Sequence, residues 1–245
     1  MASDTPVQVT LQAESLPIED RIREANARKT EGNDSFRKSD WEEALSAYES
    51  ALVFLPKSTV TLDDNRSHES PPRTEEEDEP TRHTEDPTPK STQENIDPEM
   101  EKKCANLRSI LNANIGACYV KLGEHKKAVE ACTRALADDP KYVKALQRRA
   151  ASNDILDTWT SLTSAQEDYN SLLELLPPGQ ETQEVQTKLR KLKPRLEVAQ
   201  KKETTEMLGK LKTLGDSVLG NFGLSTDNFK FEPNGQGGYS VNFQR

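Results

Sequence analysis

The chain contains 245 residues, 33% of them hydrophobic and 31% charged, and carries a formal net charge of −9 at pH 7. The segment from Asp63 to Glu99 holds thirteen acidic and four basic residues, so it accounts for the whole net charge and leaves the remainder about neutral. The sequence has no basic stripe interleaved with aromatic residues and no apolar run long enough to span a membrane. These absences argue against a nucleic-acid-binding protein and against a membrane protein.

The N-terminus lacks the basic start and apolar stretch of a secretory signal, which predicts a cytoplasmic protein. We also predict that residues 1–17 are disordered. Three cysteines, Cys104, Cys118 and Cys132, form no CxxC pair and have no histidine at zinc-ligand spacing. A reducing compartment suits them, and we expect no metal or other cofactor.

The first predicted element is a helical hairpin over residues 18–58. Its helices run from about Asp20 to Arg37 and from Trp41 to Leu55, with apolar residues at helical spacing. The short turn between them offers Ser39 or Asp40 as an N-cap oxygen for the second helix.

Residues 59–98 interrupt this helical pattern. They hold six of the fourteen prolines and almost no large apolar side chains, so burial cannot offset the entropy of ordering them. We predict a disordered acidic insert between the first hairpin and a second one over residues 99–142, whose first helix extends upstream to about Pro98.

Small residues recur at fixed steps in both hairpins, as expected where antiparallel helices pack closely and a proline ends the second helix. The first series has steps of 12, 4, 3 and 5 residues: Gly32, Ala44, Tyr48, Ala51 and Pro56. The second has identical steps: Gly116, Ala128, Cys132, Ala135 and Pro140. Ala150, 34 residues after Gly116, opens a third series over residues 143–179, and its later members come three residues late. This delay predicts a longer turn around LDTWTSLTS.

The remaining segments predict a cap and a tail. Residues 180–214 carry apolar residues at helical spacing, which predicts a capping helix with a kink or a break at Pro194: Val185, Leu189, Leu192 and Leu196. Residues 215–245 hold four of the six phenylalanines and the Gly-rich run PNGQGG, which predicts an aromatic tail forming either a small hairpin or a docked extended segment.

The 34-residue period and the interval series resemble the tetratricopeptide repeat. The resemblance implies an all-α fold, a right-handed superhelix of three helix-turn-helix repeats with a C-terminal capping helix and with the acidic insert and the N-terminus disordered. Stacked repeats place equivalent faces of their first helices along one groove. What that groove binds depends on particular side chains, because the fold alone does not fix function.

Five polar residues are predicted to face this groove: Lys29, Asn33, Asn114, Lys144 and Arg148. Lys29 and Asn33 are four residues apart and share a helical face, and so do Lys144 and Arg148. Ammonium, guanidinium and amide groups are the donors that a carboxylate requires. Taken singly, a lysine on a helix face is most often just solvated, but in KTEGN, LNANIGACY and KALQRR the five together match the carboxylate clamp of the tetratricopeptide family.

The resemblance to clamp proteins also implies roles and a partner. Lys29, Asn33 and Asn114 would hold the terminal main-chain carboxylate of a peptide, and Lys144 and Arg148 would meet its final aspartate and its backbone. An apolar pocket would be shaped by three further residues: Phe36, Ala117 and Gln147. The family's clamp proteins bind the acidic C-terminal tails of the ninety- and seventy-kilodalton heat-shock chaperones, which implies a cochaperone adaptor.

One alternative function stays open, and one class is disfavoured. The alternative is a signalling or assembly scaffold that binds another acidic C-terminus, or that binds a protein on its outer helix faces; in either case the aromatic tail could contact a client. An enzyme is not expected, because His68 and His83 lie in the insert and His125 lies in a turn, so no base stands beside a nucleophile.

Overall fold

The computed structural model describes residue 13 and residues 15–58, 97–233 and 239–243. Within these residues the chain forms seven long helices: α1 (Ile18–Arg37), α2 (Trp41–Val53), α3 (Pro98–Lys121), α4 (His125–Asp138), α5 (Val143–Leu156), α6 (Trp159–Leu175) and α7 (Gln180–Gly220). A 3-10 turn at Thr226–Asn228 and two strands, β1 (Phe229–Pro233) and β2 (Tyr239–Phe243), follow. The chain divides into two compact units, Met1–Ser152 and Asn153–Arg245, and α5 spans the division.

The predicted disordered segments fall almost entirely outside the described residues. Residues 1–12, 14 and 59–96 are not described, so disorder there stays a prediction, whereas Ala13, inside the predicted disordered N-terminus, is buried and its carbonyl accepts from the backbone N–H of Leu16 at 3.2 Å. The predicted insert ends at residue 98, but Pro98 is already the first residue of α3. Proline suits that position because its fixed φ matches the helix and its missing N–H would have no partner there.

In each hairpin of the first unit, the two helices pack so closely that only a glycine fits at one position of the first helix. A Cβ atom placed on Gly32 would lie 2.6 Å from Cε1 of Tyr48, and one placed on Gly116 would lie 2.6 Å from Sγ of Cys132. Each contact joins a glycine of the first helix to the residue sixteen positions later on the second. The side chains of Tyr48 and Cys132 are buried because the glycines let the helix backbones approach.

Each turn between paired helices contains one residue in the left-handed backbone conformation. Ser39 has φ 67°, Gly123 has φ 77° and Asp157 has φ 55°. Each lies seven residues after the small residue that opens its repeat, so the turn geometry repeats although the residue type does not. Asp40, one of the two residues predicted to supply a capping oxygen, occupies the N-cap position of α2, but its side chain makes no capping hydrogen bond, so the predicted cap is absent.

The predicted longer turn in the third repeat is wrong. Only Asp157 and Thr158 separate α5 from α6, against three residues in each earlier turn. The three extra residues instead lengthen the start of α6, which has 17 residues where α2 has 13. Thr158 makes this start favourable, because it forms a capping box with Ser161.

A buried ion cluster connects the parts of the first unit that precede and follow the undescribed residues 59–96. Arg108 of α3 pairs with Asp138 at 2.8 Å and with Glu101 at 2.9 Å, and its Nη1 donates to the carbonyl of Pro56 at 2.9 Å. Ser58 also donates to Asp138, at 3.0 Å. These carboxylates raise the pKa of Arg108 against the desolvation that would lower it. The last residues before the insert and the first turn after it are therefore tied to one guanidinium.

In the second unit, α7 packs along α6 and buries Val185 and Leu192. The helix runs through Pro194 without ending, so the expected break is absent, and it continues to Gly220 rather than to residue 214. Arg195 pairs with Asp154 at 2.5 Å and with Asp157 at 2.6 Å. These two ion pairs connect α7, at the residue after the proline, to the end of α5 and the turn that follows it.

The C-terminal tail forms a hairpin, one of the two forms predicted for it. Strands β1 and β2 pair antiparallel, with Phe229 opposite Phe243 and Pro233 opposite Tyr239. No helix in the described ranges is long and apolar enough to cross a membrane.

Candidate functional site

The first unit contains a recess of about 190 Å³ between α1, α2, α3 and α5. Seven residues line it: Asn33, Phe36, Arg37, Tyr48, Asn114, Ala117 and Arg148. A recess of this size can take the end of a peptide but not its whole length.

Five of the eight predicted site residues lie in this recess, and three lie outside its lining. The five are Asn33, Phe36, Asn114, Ala117 and Arg148. Lys29 is half-buried one turn before Asn33 on α1. On α5, Lys144 is exposed and lies one turn before Arg148. Gln147 is half-buried and directly precedes Arg148.

Asn33 is oriented by a residue from the opposite helix of its own repeat. The hydroxyl of Tyr48 donates to Oδ1 of Asn33 at 2.8 Å. Burial is the main reason that the pKa of Tyr48 is raised to about 12, although Arg148 and Arg37 oppose the shift. The hydroxyl therefore keeps its proton over the physiological range and acts as the donor, which leaves the Nδ2 group of Asn33 to donate elsewhere.

The charged lining of the recess is positive. Arg148 is half-buried and its Nη1 donates to the carbonyl of Ala113 at 2.8 Å. Arg37 is exposed at the mouth and pairs with Asp34 at 3.0 Å. The described lining includes both guanidinium groups and no carboxylate, so an anion entering the recess meets donors of the right sign.

Lys29 is held beside the recess rather than within it. Its Nζ donates to Oδ1 of Asn26 at 2.7 Å, and Asn26 in turn donates to the carbonyl of Ile22 at 2.9 Å. Desolvation by burial lowers the pKa of Lys29 below its ordinary value of 10.5. An incoming carboxylate would offset that desolvation and favour the charged ammonium.

Aromatic and small side chains form the apolar wall of the recess. The Phe36 ring packs edge-on against Trp41 with centroids 4.7 Å apart and an interplanar angle of 65°. Ala117 on α3 is 9% exposed and leaves the space beside Phe36 open. An apolar side chain next to a carboxylate could occupy this wall.

Three residues that shape the site are absent from the sequence prediction. The repeat series indicates Tyr48 only as a packing residue, and nothing in the sequence signals its hydroxyl contact. Arg37 could have been predicted from the sequence, because it lies four residues after Asn33 and shares its helix face. Asn26 stands three residues before Lys29 and carries the same kind of signal. Among the described residues, no group of three or more His, Cys, Asp or Glu side chains is placed to hold a metal ion.

Comparison with known proteins shows the fold. The C-terminal TPR-containing domain of a Plasmodium falciparum FK506-binding protein superposes with a TM-score of 0.53 at 22% identity, over 77% of this chain and 99% of that domain. This chain thus has the all-helical tetratricopeptide fold, as the repeat intervals predict. The second TPR domain of human RPAP3, solved in complex with the HSP70 peptide SGPTIEEVD, superposes with a TM-score of 0.43 at 19% identity, over 72% of this chain and 98% of that one.

Sequence relatives match over limited regions. FK506-binding protein 59 of Drosophila melanogaster is 25% identical over 167 residues, which are 68% of this chain and 28% of that protein. The chain thus spans less than a third of the length of this curated relative. No protein-family model matches the chain.

Proposed function

We propose that this protein is a cochaperone adaptor whose tetratricopeptide groove binds the acidic C-terminal peptide of heat-shock chaperones of the ninety- or seventy-kilodalton class. It would act by binding rather than by catalysis, and in the cytoplasm. The observation that carries the proposal is the recess itself, because Asn33, Asn114 and Arg148 come from three helices and line one small cavity with no carboxylate among its described lining.

The proposed binding mode assigns each donor a part. Asn33 and Asn114, with Lys29 from the side, bind the terminal main-chain carboxylate, and Arg148 meets the final aspartate. Lys144 is exposed one turn before Arg148, so it contacts the peptide backbone outside the recess. Phe36, Ala117 and Gln147 contact the apolar side chain upstream.

The identity of the partner rests on resemblance. The five donors match the clamp of the tetratricopeptide family residue by residue, and that clamp recognises chaperone tails. The C-terminal stretch MLGKLKTLGDSVLGNFGLSTDNF, followed by GGYSVNF, resembles the end of tetratricopeptide repeat protein 1. This likeness supports placing the chain among small clamp adaptors, with the aromatic tail available to a client.

Calorimetry with the peptide SGPTIEEVD tests the proposal. A short peptide that must also be ordered on binding is expected to bind at about micromolar Kd, equivalent to about 8 kcal/mol. Amidating its C-terminus, or changing Lys144→Glu, should abolish measurable binding, and raised salt should weaken it. The matched control is Lys102→Glu, which reverses an exposed lysine of α3 that does not line the recess.

Two outcomes would contradict the proposal. Binding that is unchanged by amidation would show that the terminal carboxylate is not recognised. Binding of an unrelated acidic C-terminus with equal affinity would favour the scaffold function over the cochaperone one.

A further inference from the structure

The second half of α7 and the turn after it carry an exposed apolar face. Six large side chains on it are each more than half exposed, and we call them the α7 stripe: Met207 (67%), Leu208 (61%), Leu211 (63%), Leu214 (63%), Val218 (56%) and Phe222 (76%). Met207, Leu211, Leu214 and Val218 recur at steps of 4, 3 and 4 residues, which places them along one side of the helix. Spacing of this kind is typical of a helix that packs against another helix.

The described residues of its own unit cover only part of the helix there. The first half of α7 buries Val185 and Leu192, whereas the described residues of α7 beyond Leu192 include no buried side chain. The second half contains Gly209 and Gly215, and glycine is less favourable than alanine inside a helix. A helical segment of this composition gains its stability mainly from tertiary or quaternary contacts.

The exposed area matches what an interface requires. Taken at roughly 150 Å² for a fully exposed large side chain, the low end of the aromatic range, the α7 stripe presents on the order of 600 Å². The largest apolar patch on a typical monomer is about 300–600 Å². A stable interface buries about 800 Å² on each partner, so one further copy of the same face is enough to cover this one.

The face also holds a shallow, largely apolar depression. A recess of about 580 Å³ lies along it, lined by apolar residues that include Leu208, Leu211 and Gly215. Thr226 forms one wall, and Asp216 fixes it by accepting from the backbone N–H and the hydroxyl of Thr226, at 2.6 and 2.7 Å. Phe222 is the most exposed large apolar residue in the described chain and lies two residues beyond the end of α7. The C-terminal end of the helix thus offers an apolar depression and, next to it in sequence, an exposed aromatic side chain, the two elements that a two-fold interface can pair.

The charges around the face favour a protein partner over a lipid surface. The stretch from Lys201 to Asn228, which includes the α7 stripe, carries four lysines and four carboxylates, and Lys212 and Asp227 already form an ion pair at 2.6 Å. A helix that lies on an anionic membrane needs a strongly basic polar face. A mixed border can instead pair with a second copy of itself.

We propose that the α7 stripe is a homodimer interface, in which two copies pair about a two-fold axis and Phe222 of each copy enters the apolar recess of the other. The interface lies in the second unit, and the peptide recess lies in the first. Dimerisation would therefore give one assembly two peptide-binding sites.

Sedimentation velocity and light scattering on the full chain test the proposal, over about 1–100 µM. Wild-type protein should show a concentration-dependent dimer, and Leu211→Glu should be monomeric throughout. Phe222→Ala should weaken dimerisation by about tenfold or more, as loss of a central aromatic anchor does. The matched control is Val198→Glu, which places the same charge at a 68% exposed valine of α7 outside the stripe, and it should leave the dimer intact.

Leu211 is 63% exposed, so its substitution should leave far-UV circular dichroism unchanged, and that measurement accompanies the test. A wild-type protein that stays monomeric at 100 µM would overturn the proposal. A dimer that survives both Leu211→Glu and Phe222→Ala would overturn it equally. Binding of the monomer to phosphatidylserine vesicles, lost in Leu211→Glu, would assign the face to a membrane instead.

Discussion

The hydroxyl of Tyr48 donates to Oδ1 of Asn33 at 2.8 Å, so a residue of α2 determines how a residue of α1 presents its amide to the recess. Because Oδ1 already accepts this hydrogen bond, Nδ2 is the end of the amide left to donate to a carboxylate. The glycine one residue before Asn33 makes the contact geometrically accessible, since Gly32 admits the Tyr48 ring against α1. Packing of the repeat and orientation of the site are thus one arrangement.

Removing the hydroxyl while keeping the ring separates these two roles. Tyr48→Phe should weaken binding of SGPTIEEVD about fivefold, equivalent to about 1 kcal/mol for one neutral hydrogen bond. The midpoint of chemical denaturation should change little, because the ring still packs on Gly32. Tyr119→Phe is the control, since its hydroxyl lies 3.4 Å from Glu49 and away from the recess. An unchanged Kd in Tyr48→Phe would show that the hydrogen bond does not orient Asn33.

Crowding the helix contact should affect stability and binding together. In Gly32→Ala the new methyl group would lie 2.6 Å from Cε1 of Tyr48, so the ring must shift. We expect a loss of about 1–3 kcal/mol in the free energy of unfolding, measured by urea denaturation, together with weaker peptide binding. Gly209→Ala is the opposite case, because its new methyl group would meet no atom within 4 Å beyond its own helical turn and alanine favours the helix, so it should stabilise by about 0.5–1 kcal/mol.

The lowered pKa of Lys29 predicts a pH dependence of binding. Desolvation disfavours its ammonium in the free protein, and a bound carboxylate favours it. Affinity for SGPTIEEVD should therefore be fully present below the lowered pKa and fall as pH rises through it, at a pH below 10.5. Calorimetry from about pH 7 upward measures this, with circular dichroism to confirm folding. Lys29→Arg should flatten the profile, because arginine keeps its charge.

The lowered pKa of Lys29 gives the stability of the fold the opposite pH dependence from that of peptide binding. Below the lowered pKa, the folded protein bears the desolvation of a charged Lys29, whereas in the unfolded chain the pKa is 10.5. The unfolded state binds more protons between these two values, so this residue makes folding more favourable as pH rises across that window. Lys29→Met should remove this contribution from the pH dependence of the unfolding free energy.

The repeated left-handed turn residue predicts a matched pair of substitutions. Gly123→Ala places a Cβ atom at φ 77° and should destabilise the protein by about 1–2 kcal/mol. Ser39→Gly relieves the same conformation at φ 67° but adds freedom to the unfolded chain, so it should stabilise by about 0.5 kcal/mol. Thermal denaturation of both variants is the measurement. Effects of equal sign would contradict a shared turn geometry.

The hairpins are predictable from the sequence because their packing recurs at a fixed period. Gly32 and Gly116 mark the close helix contacts in the interval series alone, and the predicted ends of α1 and α2 lie within two residues of those in the structure. The third repeat is harder, because three extra residues could lengthen either the turn or a helix. The capping box of Thr158 with Ser161 favours the helix, and that local preference outweighs the interval pattern.

The site is predictable only in its residue types. Helical spacing brings Asn33 and Arg148 to one groove, yet it does not tell which donors reach the recess and which stand beside it. Lys29 is drawn aside by Asn26, and Tyr48 enters from the second helix. Such contacts depend on side-chain directions, which the period of the sequence does not encode.

Arg108 fixes where the chain leaves the first hairpin and where it returns, through the carbonyl of Pro56 and the carboxylate of Glu101. The gap that residues 59–96 must bridge is therefore set by the folded repeats and not by their own length. For the disordered insert that the sequence predicts there, closing the chain between these fixed ends costs only about 0.6 kcal/mol more for each doubling of its length. This junction is thus a position where a reporter domain could be grafted with little loss of stability.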